Sequence, residues 1–566
     1  MDMQIGQPEK LTYRPAQDLM TLSRMGSFHQ TRLSFMRTLL RRLVADEWRF
    51  ETKRFEIDTK GVGVAVYSAI GPDHTYSLIA FANDLPPEKR SDRVIATEWD
   101  ATFTLFDGVP DDGEIERLRA NIPLQEAGRV SERELSMSRA NRSVRLWDHV
   151  VSALAKGDQP DPELVASVGY LMRTTAVYGS GKFGVADREV LTDRCECRGP
   201  FQIEMLTVYL IRTFVMDLVE YLAKMRSPQT AVALDPQVRR SFGIGNSTGL
   251  GMAPFVVNHP MLINNWILAK EEALLRVRSV KDASETEVET FLNLLPRVHQ
   301  NVEEWRSQHS IQLEKLSGLK KDLSHLEIFL QSFDFTKPYP WQRLLEWSEA
   351  HLSLEGQEQL ISLMMEPYPD LIDGLTDCMD ADEAKGFRID GRMSVENLKQ
   401  LCEEIYAWAL EIDWSETSAN ARAWYVSEEK LEPRLGERFE EDISDYEQPL
   451  QPGRDAARMY ADLSTVKPGT TVAAFLLAHP EHRHIARRCQ LAQRYPYAEV
   501  RDNTICASMM PIDLLRAKLS FFGAGHFDPR SDRWVRINMF KGAAFPHELQ
   551  SEYRDDWPYP ILTDAG

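Results

Sequence analysis

Residues 201–225, FQIEMLTVYLIRTFVMDLVEYLAKM, follow Arg-Gly-Pro at 198–200 and form the best-marked helical segment of the chain. A helix that is apolar on nearly every face is normally buried at the centre of its domain. Burial of an unpaired charge is too costly to be accidental. We therefore expect the charged residues of this helix to pair with one another or to face a cavity; they are Glu204, Arg212, Asp217 and Glu220.

The composition narrows the classes of protein to which the chain can belong. Of its 566 residues, 43% are hydrophobic and 27% are charged, which is typical of a globular protein with roughly three or four domains. Asp and Glu (86) outnumber Lys and Arg (66), and the net charge of -20 opposes broad binding of DNA, RNA or anionic lipid. The six cysteines have no regular spacing, and no apolar run approaches the roughly 18 residues of a membrane helix. We expect a cytoplasmic protein with reduced thiols, and neither nucleic acid nor a membrane as a partner.

The segments near the two termini show shorter patterns of apolar residues, which predict one helix and several strands. Residues 30–48 carry apolar side chains at helical spacing, and residues 53–107 are typical of three strands in an antiparallel meander. Near the C-terminus, further strands are predicted in KLSFFGA and RWVRINMF, around the turn HFDPRSD. We interpret this turn as a solvated hairpin or, alternatively, as a loop that closes over a pocket.

Together these patterns predict an α+β, predominantly helical fold. It should have a central helical domain, small antiparallel sheets near the N- and C-termini, and a long heptad-patterned helix or helical hairpin. The predicted units are an N-terminal helix plus meander, the central helical domain, a helical arm or bundle, an acidic linker and a C-terminal mixed α/β region, which correspond to residues 1–112, 113–275, 276–410, 411–453 and 454–566. The linker is assigned because residues 411–447 contain twelve Asp or Glu against four Lys or Arg.

Residues 284–330 carry the strongest periodic pattern. Thirteen positions from Val288 to Leu330 are spaced alternately by three and four residues, and eleven of them are apolar. Ser284 and Glu287 predict a capping box, and Pro296 must kink the rod or start a second helix. We call the stripe formed by these thirteen positions the seam. Two interpretations stay open: a bundle helix whose seam is covered by other parts of the same chain, and a seam through which two or more copies of the chain form a homo-oligomer.

The densest glycine cluster, GIGNSTGLG, runs from Gly243 to Gly251, just after two arginines. Glycine lets backbone amides approach a ligand closely, and arginine can bind a carboxylate or phosphate through two hydrogen bonds. We therefore predict a site for a small anionic molecule, with a tight structural turn as the alternative. The expected binding residues are Arg198, Arg239, Arg240, Gly245, Asn246, Ser247, Thr248 and Gly249.

Two other side chains are candidates for proton transfer at this site. His259 titrates near neutral pH, although a histidine satisfied within the core is the alternative. Lys182 lies in a glycine turn that is not a P-loop, because Ala176 and Phe183 stand where a glycine and a Ser or Thr are required. Its amine can still reach an anion or form a Schiff base, and simple solvation of the turn is the alternative.

No metal site is expected. His479, His482 and His484 are close in sequence, but Arg483 stands among them and no carboxylate spacing matches a known site. The pair Cys195 and Cys197 would need two further ligands, so we expect inert thiols, with a nucleophilic or redox cysteine as the alternative.

The sequence thus favours a cytoplasmic enzyme that acts on a small anionic substrate, a carboxylate or phosphate, by metal-independent acid–base chemistry. One alternative is an oxidoreductase whose flavin or nicotinamide cofactor places its phosphates on the glycine segment; the cofactor is otherwise unknown. The other is a non-catalytic assembly or regulatory protein in which the seam at 284–330 carries the function.

Overall fold

Strands from the whole length of the chain meet in one sheet. The computed structural model describes residues 11–86, 98–121, 131–178, 191, 194–197, 199–249, 259–378, 386–415, 424–426, 433–435, 452–502, 512–525, 527–529, 534–550 and 553–559. Its strands are β1 (Arg49–Ile57), β2 (Gly63–Ile70), β3 (Thr75–Ala82), β4 (Ala101–Asp107), β5 (Glu134–Arg142), β6 (Tyr170–Tyr178), β7 (Gly243–Gly249), β8 (Trp424–Val426), β9 (Pro433–Leu435), β10 (Phe527–Pro529) and β11 (Trp534–Met539). Nine of them form a sheet in the order β1-β2-β3-β4-β5-β6-β7-β11-β10, and β8 pairs separately with β9. All neighbours in the large sheet are antiparallel except β6 and β7, which are parallel.

The predicted arrangement of small sheets near the two termini is therefore wrong, although the α+β class is right. The N-terminal meander has four strands rather than three, because residues 53–70 contain a turn in which Asp58 N donates to Val62 O. The region 113–275, predicted to be helical, supplies β5, β6 and β7. KLSFFGA, predicted to be a strand, lies at the end of a helix, since so short an apolar run fits either periodicity. RWVRINMF is the strand β11, as expected.

Helices cover the sheet and build the rest of the molecule. They are α1 (Ala16–Leu19), α2 (Leu22–Met25), α3 (Phe35–Ala45), α4 (Asp112–Asn121), α5 (Trp147–Lys156), α6 (Pro162–Val168), α7 (Gln202–Arg226), α8 (Pro236–Ser241), α9 (Pro260–Arg278), α10 (Glu285–Glu304), α11 (Ser310–Leu330), α12 (Pro340–His351), α13 (Leu354–Met365), α14 (Pro369–Ile372), α15 (Val395–Leu410), α16 (Pro452–Leu463), α17 (Val472–Ala478), α18 (Arg483–Arg494) and α19 (Ile512–Phe522). Among the described helices, none combines the length and the hydropathy of a membrane-spanning segment.

The helix α7 lies in the connection between the parallel strands β6 and β7 and packs across the sheet from β2 to β7. Parallel neighbours need such a crossover, so this helix fixes the position of β7 in the sheet. Three of its charged side chains have partners in other segments, rather than pairing with one another as expected. Arg212 donates to the carbonyl oxygens of Phe242 at 2.7 Å and Ala543 at 2.8 Å, while Asp217 and Glu220 contact an arginine of α8.

The periodic segment 284–330 forms a helical hairpin, α10 and α11, broken between Trp305 and His309. Ser284 Oγ accepts from the Glu287 amide, and the Ser284 amide donates to the Glu287 carboxylate at 2.7 Å, so the capping box is confirmed. Both helices pack on α13, and the seam residues Leu319 and Leu323 are buried. The chain therefore covers its own seam, and the homo-oligomer through this segment stays a prediction.

Two separate clusters dominate the core. The larger gathers apolar residues from Ala16 to Tyr559, including α3, α7, the helices between 260 and 375 and the C-terminal strands. The smaller is built from α15, α16, α17 and α18, between Val395 and Ala492. Most of the predicted acidic linker at 411–453 lies outside the described residues.

Candidate functional site

The glycine segment is a strand in the interior of the sheet, not a loop. Residues 244–249 pair with β11, and Gly243, Gly245 and Asn246 pair with β6. The Asn246 amide side chain is buried and donates to Thr174 Oγ1 at 3.1 Å. Backbone amides that bond to neighbouring strands cannot at the same time bind an anion or the phosphates of a cofactor. Strand pairing thus engages the backbone of residues 243–249, and the anion site predicted at the glycine segment stays a prediction.

The two predicted arginines are held by carboxylates. Arg239 Nη2 lies 2.8 Å from Asp217 Oδ1, its Nη1 lies 3.3 Å from Glu220 Oε1, and its guanidinium covers the ring of Phe545. Arg240 Nε lies 2.9 Å from Glu548 Oε1. These ion pairs connect α8 to α7 and to the C-terminal region, and the binding role of both arginines stays a prediction.

The remaining predicted residues are dispersed or lie outside the described part of the chain. His259 is half-buried and precedes the first residue of α9, where its carbonyl accepts from the Ile263 amide at 3.1 Å. Ser247, Thr248 and Gly249 contribute backbone to β7, and nothing is described of their side chains. The candidates Lys182 and Arg198 are outside the described residues.

The glycines of β7 have a steric role that leads to a different site. A Cβ atom on Gly245 would lie 2.6 Å from Cγ of Tyr170, and one on Gly243 would lie 2.3 Å from Oδ1 of Asn538. Contacts under 3 Å require a shift of the neighbouring atoms, so only glycine leaves Tyr170 and Asn538 in place. Both residues line a cleft beside the end of β11, which we call the β11 cleft.

Residues from distant segments line the β11 cleft. They are Arg145, Ala166, Ser167, Val168, Gly169, Tyr170, Glu304, Arg306, Asp528, Arg536, Ile537, Asn538 and Lys541. Arg536 and Asn538 are two residues apart on β11 and therefore share one face of the sheet. Arg145 and Arg306 are exposed, Arg536 is half-buried, and Tyr170 and Lys541 are buried. The cleft thus has a solvated rim of arginines and a buried polar floor.

Two polar groups on the cleft floor lack partners. The Tyr170 hydroxyl is buried and makes no hydrogen bond with the described residues, and the same holds for Asn538 Oδ1. The Asn538 amide nitrogen donates to the Gly169 carbonyl at 2.6 Å, which fixes the orientation of this side chain. A buried polar group without a partner costs roughly 1–3 kcal/mol, so each such group needs an explanation, for which a ligand is one candidate.

Lys541 occupies a strained turn at the end of β11. Its neighbours Phe540 and Gly542 have left-handed backbones, with φ of 58° and 89°. A bulky residue in this conformation is strained, and such strain clusters at functional sites. Burial lowers the pKa of Lys541, while Glu304, whose carboxylate lies 3.7 Å from Lys541 Nζ, opposes that shift. The turn holds an amine inside the cleft rather than in solvent.

The cleft is electropositive in an acidic protein. Four cations and two carboxylates line it, whereas the whole chain carries a net charge of -20. A local excess of positive charge attracts anions and concentrates them at the site.

A second polar cluster surrounds Cys197. The Tyr76 hydroxyl donates to Glu196 Oε1 at 2.9 Å and lies 3.4 Å from Cys197 Sγ, and His74 Nδ1 lies 2.5 Å from the same carboxylate oxygen. A small neighbouring cavity is lined by these polar groups and by apolar side chains that include Leu39 and Leu43 of α3 and Ile203 and Leu206 of α7. Its polar groups are engaged with one another, so this cluster is the weaker candidate for a ligand site.

The sequence contained only part of the signal for the β11 cleft. RWVRINMF showed an arginine and an asparagine on one strand face, but Tyr170, Glu304 and Lys541 come from segments that no local pattern connects. Comparison with known proteins adds no further identification: no protein-family model, no curated protein and no solved structure matches this chain.

Proposed function

We propose that the protein binds a small anionic molecule, a carboxylate or phosphate compound, in the β11 cleft. The observation that carries the proposal is the excess of arginine and lysine over carboxylate in a concave site of a strongly acidic chain. The net charge of the chain is negative, so its surface as a whole repels anions, and the attraction is confined to this cleft. In this proposal the β11 cleft, rather than the glycine segment, holds the anion.

The geometry supports a ligand with its charged group toward Arg536. Arginine presents a planar fork that matches a carboxylate or phosphate through two hydrogen bonds. Arg145 and Arg306 at the rim add attraction on entry, while the Tyr170 hydroxyl can donate to a ligand oxygen inside the cleft. Binding would satisfy this hydroxyl, which the described residues leave without a partner.

The enzymatic part of the proposal rests on Lys541. Its buried amine holds a proton less firmly than an exposed lysine does, so it can give or accept one in contact with a bound anion. This chemistry needs no metal ion. Asp528 and Glu304 supply carboxylates in the same cleft and are candidates for a second proton carrier.

Calorimetric titration of the purified protein with inorganic phosphate and with citrate tests the proposal. At least one anion should bind, and Arg536→Ala should weaken that binding about tenfold or more, or about 1.4 kcal/mol. Arg119→Ala is the matched control, because Arg119 lies exposed on α4, where its partner is Glu116. The Arg240→Ala variant separates this cleft from the glycine segment, since it should retain the affinity of the wild type.

The titration also tests Lys541. An amine with a lowered pKa takes up protons when an anion binds beside it, so the apparent enthalpy should depend on the ionisation enthalpy of the buffer. In Lys541→Met this dependence should disappear. Failure of both anions to bind, or unchanged affinity in Arg536→Ala with an unchanged melting temperature, would contradict the proposed function.

A further inference from the structure

The fold assembles a cluster of two histidines and two carboxylates far from the β11 cleft. One carboxylate is close to the end of α16, one histidine directly follows α17, and the other two residues belong to the short 3-10 turn before α18. Each side chain offers one ligand atom, and these atoms all lie within 4.8 Å of one another. The members of this histidine–carboxylate cluster are Asp462, His479, Glu481 and His482.

The separations within the cluster are close to those of a metal site. His482 Nε2 lies 2.7 Å from Asp462 Oδ2 and 4.0 Å from Glu481 Oε1, and His479 Nδ1 lies 3.3 Å from Glu481 Oε1. Bonds of about 2.0–2.1 Å in a tetrahedron place neighbouring ligand atoms about 3.3 Å apart. One of the three distances equals this value, one is shorter and one is longer, and no two of the four ligand atoms are more than 4.8 Å apart.

The donor set selects the class of metal. Imidazole nitrogen suits zinc and other transition metals, while calcium and magnesium take oxygen ligands almost exclusively. Two nitrogens with two carboxylate oxygens fill four positions and compensate the charge of a divalent ion. A site with four protein ligands is typical of structural rather than catalytic zinc.

Packing already orients the imidazole rings. His482 is buried, and its ring lies parallel to the ring of Phe475, at 3° and 5.8 Å between centroids. The ring of His479 stacks on the same phenylalanine at 5.0 Å. Phe475 is itself part of the smaller core cluster, so the rings rest on a fixed support. Side chains that are held in place lose little entropy when they bind an ion.

The two features that argued against a metal in the sequence do not interfere in the structure. Arg483 is exposed and takes part in none of the ion pairs among the described residues that involve the cluster. His484 lies outside the cluster, with Nε2 2.9 Å from Asp455 Oδ2. The sequence showed no carboxylate at a spacing typical of a metal site. In the structure Asp462 supplies one, but it lies 17 residues before His479, so a short spacing motif does not include it.

We propose that the histidine–carboxylate cluster binds one Zn²⁺ ion. The ion connects the end of α16 to the turn between α17 and α18. It adds a constraint between elements of the smaller core cluster. The proposal is independent of the anion site in the β11 cleft.

Zinc titration of the untagged full-length protein, after treatment with a chelator, tests the proposal. We expect one equivalent of Zn²⁺ to bind, and Co²⁺ in its place to give the visible absorption of a tetrahedral complex. His479→Ala and Glu481→Gln should each weaken Zn²⁺ binding at least tenfold. Both residues are solvent-accessible, so the variants should fold, which circular dichroism checks.

His484→Ala is the matched control, because it removes a neighbouring histidine that contributes no proposed ligand atom: its Nε2 contacts Asp455, and its Nδ1 contacts only the backbone carbonyl of Glu481. It should bind Zn²⁺ as the wild type does. Zn²⁺ should also raise the melting temperature of the wild type and of His484→Ala, but not that of His479→Ala. Binding of less than one equivalent, or equal affinity in folded His479→Ala, would overturn the proposal.

Discussion

Arg37 and Glu366 form a two-bond ion pair inside the protein, with Nη1–Oε1 at 2.6 Å and Nη2–Oε2 at 2.8 Å. The Arg37 side chain is fully buried, and its Nε also lies 2.9 Å from Asp555 Oδ1. One guanidinium on α3 thus connects the residue after α13 with the C-terminal segment. These ion pairs therefore join the N-terminal helix α3 to the C-terminal segment, although the two are far apart in the sequence.

Replacement of Arg37 by Met should destabilise the protein strongly. The substitution leaves two buried carboxylates facing one fewer cation, and breaking a buried pair in this way costs about 3–5 kcal/mol. Chemical denaturation measures the free energy of unfolding. Arg276→Ala, which removes an exposed pair with Glu272, should cost less than about 1 kcal/mol. Equal effects of the two substitutions would contradict the structural role of Arg37.

Alanine should have opposite effects at two glycines. At Gly245 the new methyl group meets the ring of Tyr170, so we expect a loss of about 1–3 kcal/mol. At Gly318, inside α11, no atom lies within 4 Å of the added Cβ, and helix propensity favours alanine by roughly 0.5–1 kcal/mol. Thermal melting of both variants gives the comparison. Gly245→Ala as stable as the wild type would show that Tyr170 is not held as described.

The stability of the protein should depend on pH through Lys518. Burial lowers the pKa of this lysine to about 7, whereas an unfolded chain gives it a value near 10.5. Between these values the unfolded chain holds the proton and the folded chain does not, so the free energy of unfolding rises with pH across this window. The cost of protonating Lys518 is greatest below the folded pKa.

The variant Lys518→Met isolates this contribution. It should be more stable than the wild type near pH 7, and the difference should shrink as the pH approaches about 10. Urea denaturation at several pH values measures it, with exposed Lys321→Met as the control. A difference that is independent of pH would show that the lysine keeps an ordinary pKa.

The thiols should differ in their reactivity toward a disulfide reagent. Cys195 is exposed and should react quickly in the native protein, so Cys195→Ser should remove one fast-reacting thiol. Cys402 and Cys489 are buried, and a hydrogen bond with Cys402 together with burial raises the pKa of Cys489. These two should react only after denaturation. Fast reaction of Cys489 in the native state would contradict the packing of the smaller core cluster.

Local sequence pattern determined the elements whose stabilisation is local. Ser284 and Glu287 cap a helix because the two groups are three residues apart, and no distant segment is needed. The apolar helix at 201–225 had to be buried, and its Arg212 and Asp217 had to find partners, because the cost of unpaired buried charge does not depend on the fold. These features follow from periodicity and from the energetics of burial.

The tertiary structure alone decided which distant segments meet. The glycines of β7 fit a loop when only the sequence is considered. In the structure β7 lies between β6 and β11, and Tyr170 and Asn538 occupy the space that side chains at Gly245 and Gly243 would need. Lys541 and Asp462 likewise acquire partners only across long separations in the chain. Strand pairing and side-chain clusters of this kind depend on the packing of the whole molecule. A local sequence pattern shows which face of a helix or strand is apolar, but it does not show which other element will cover that face.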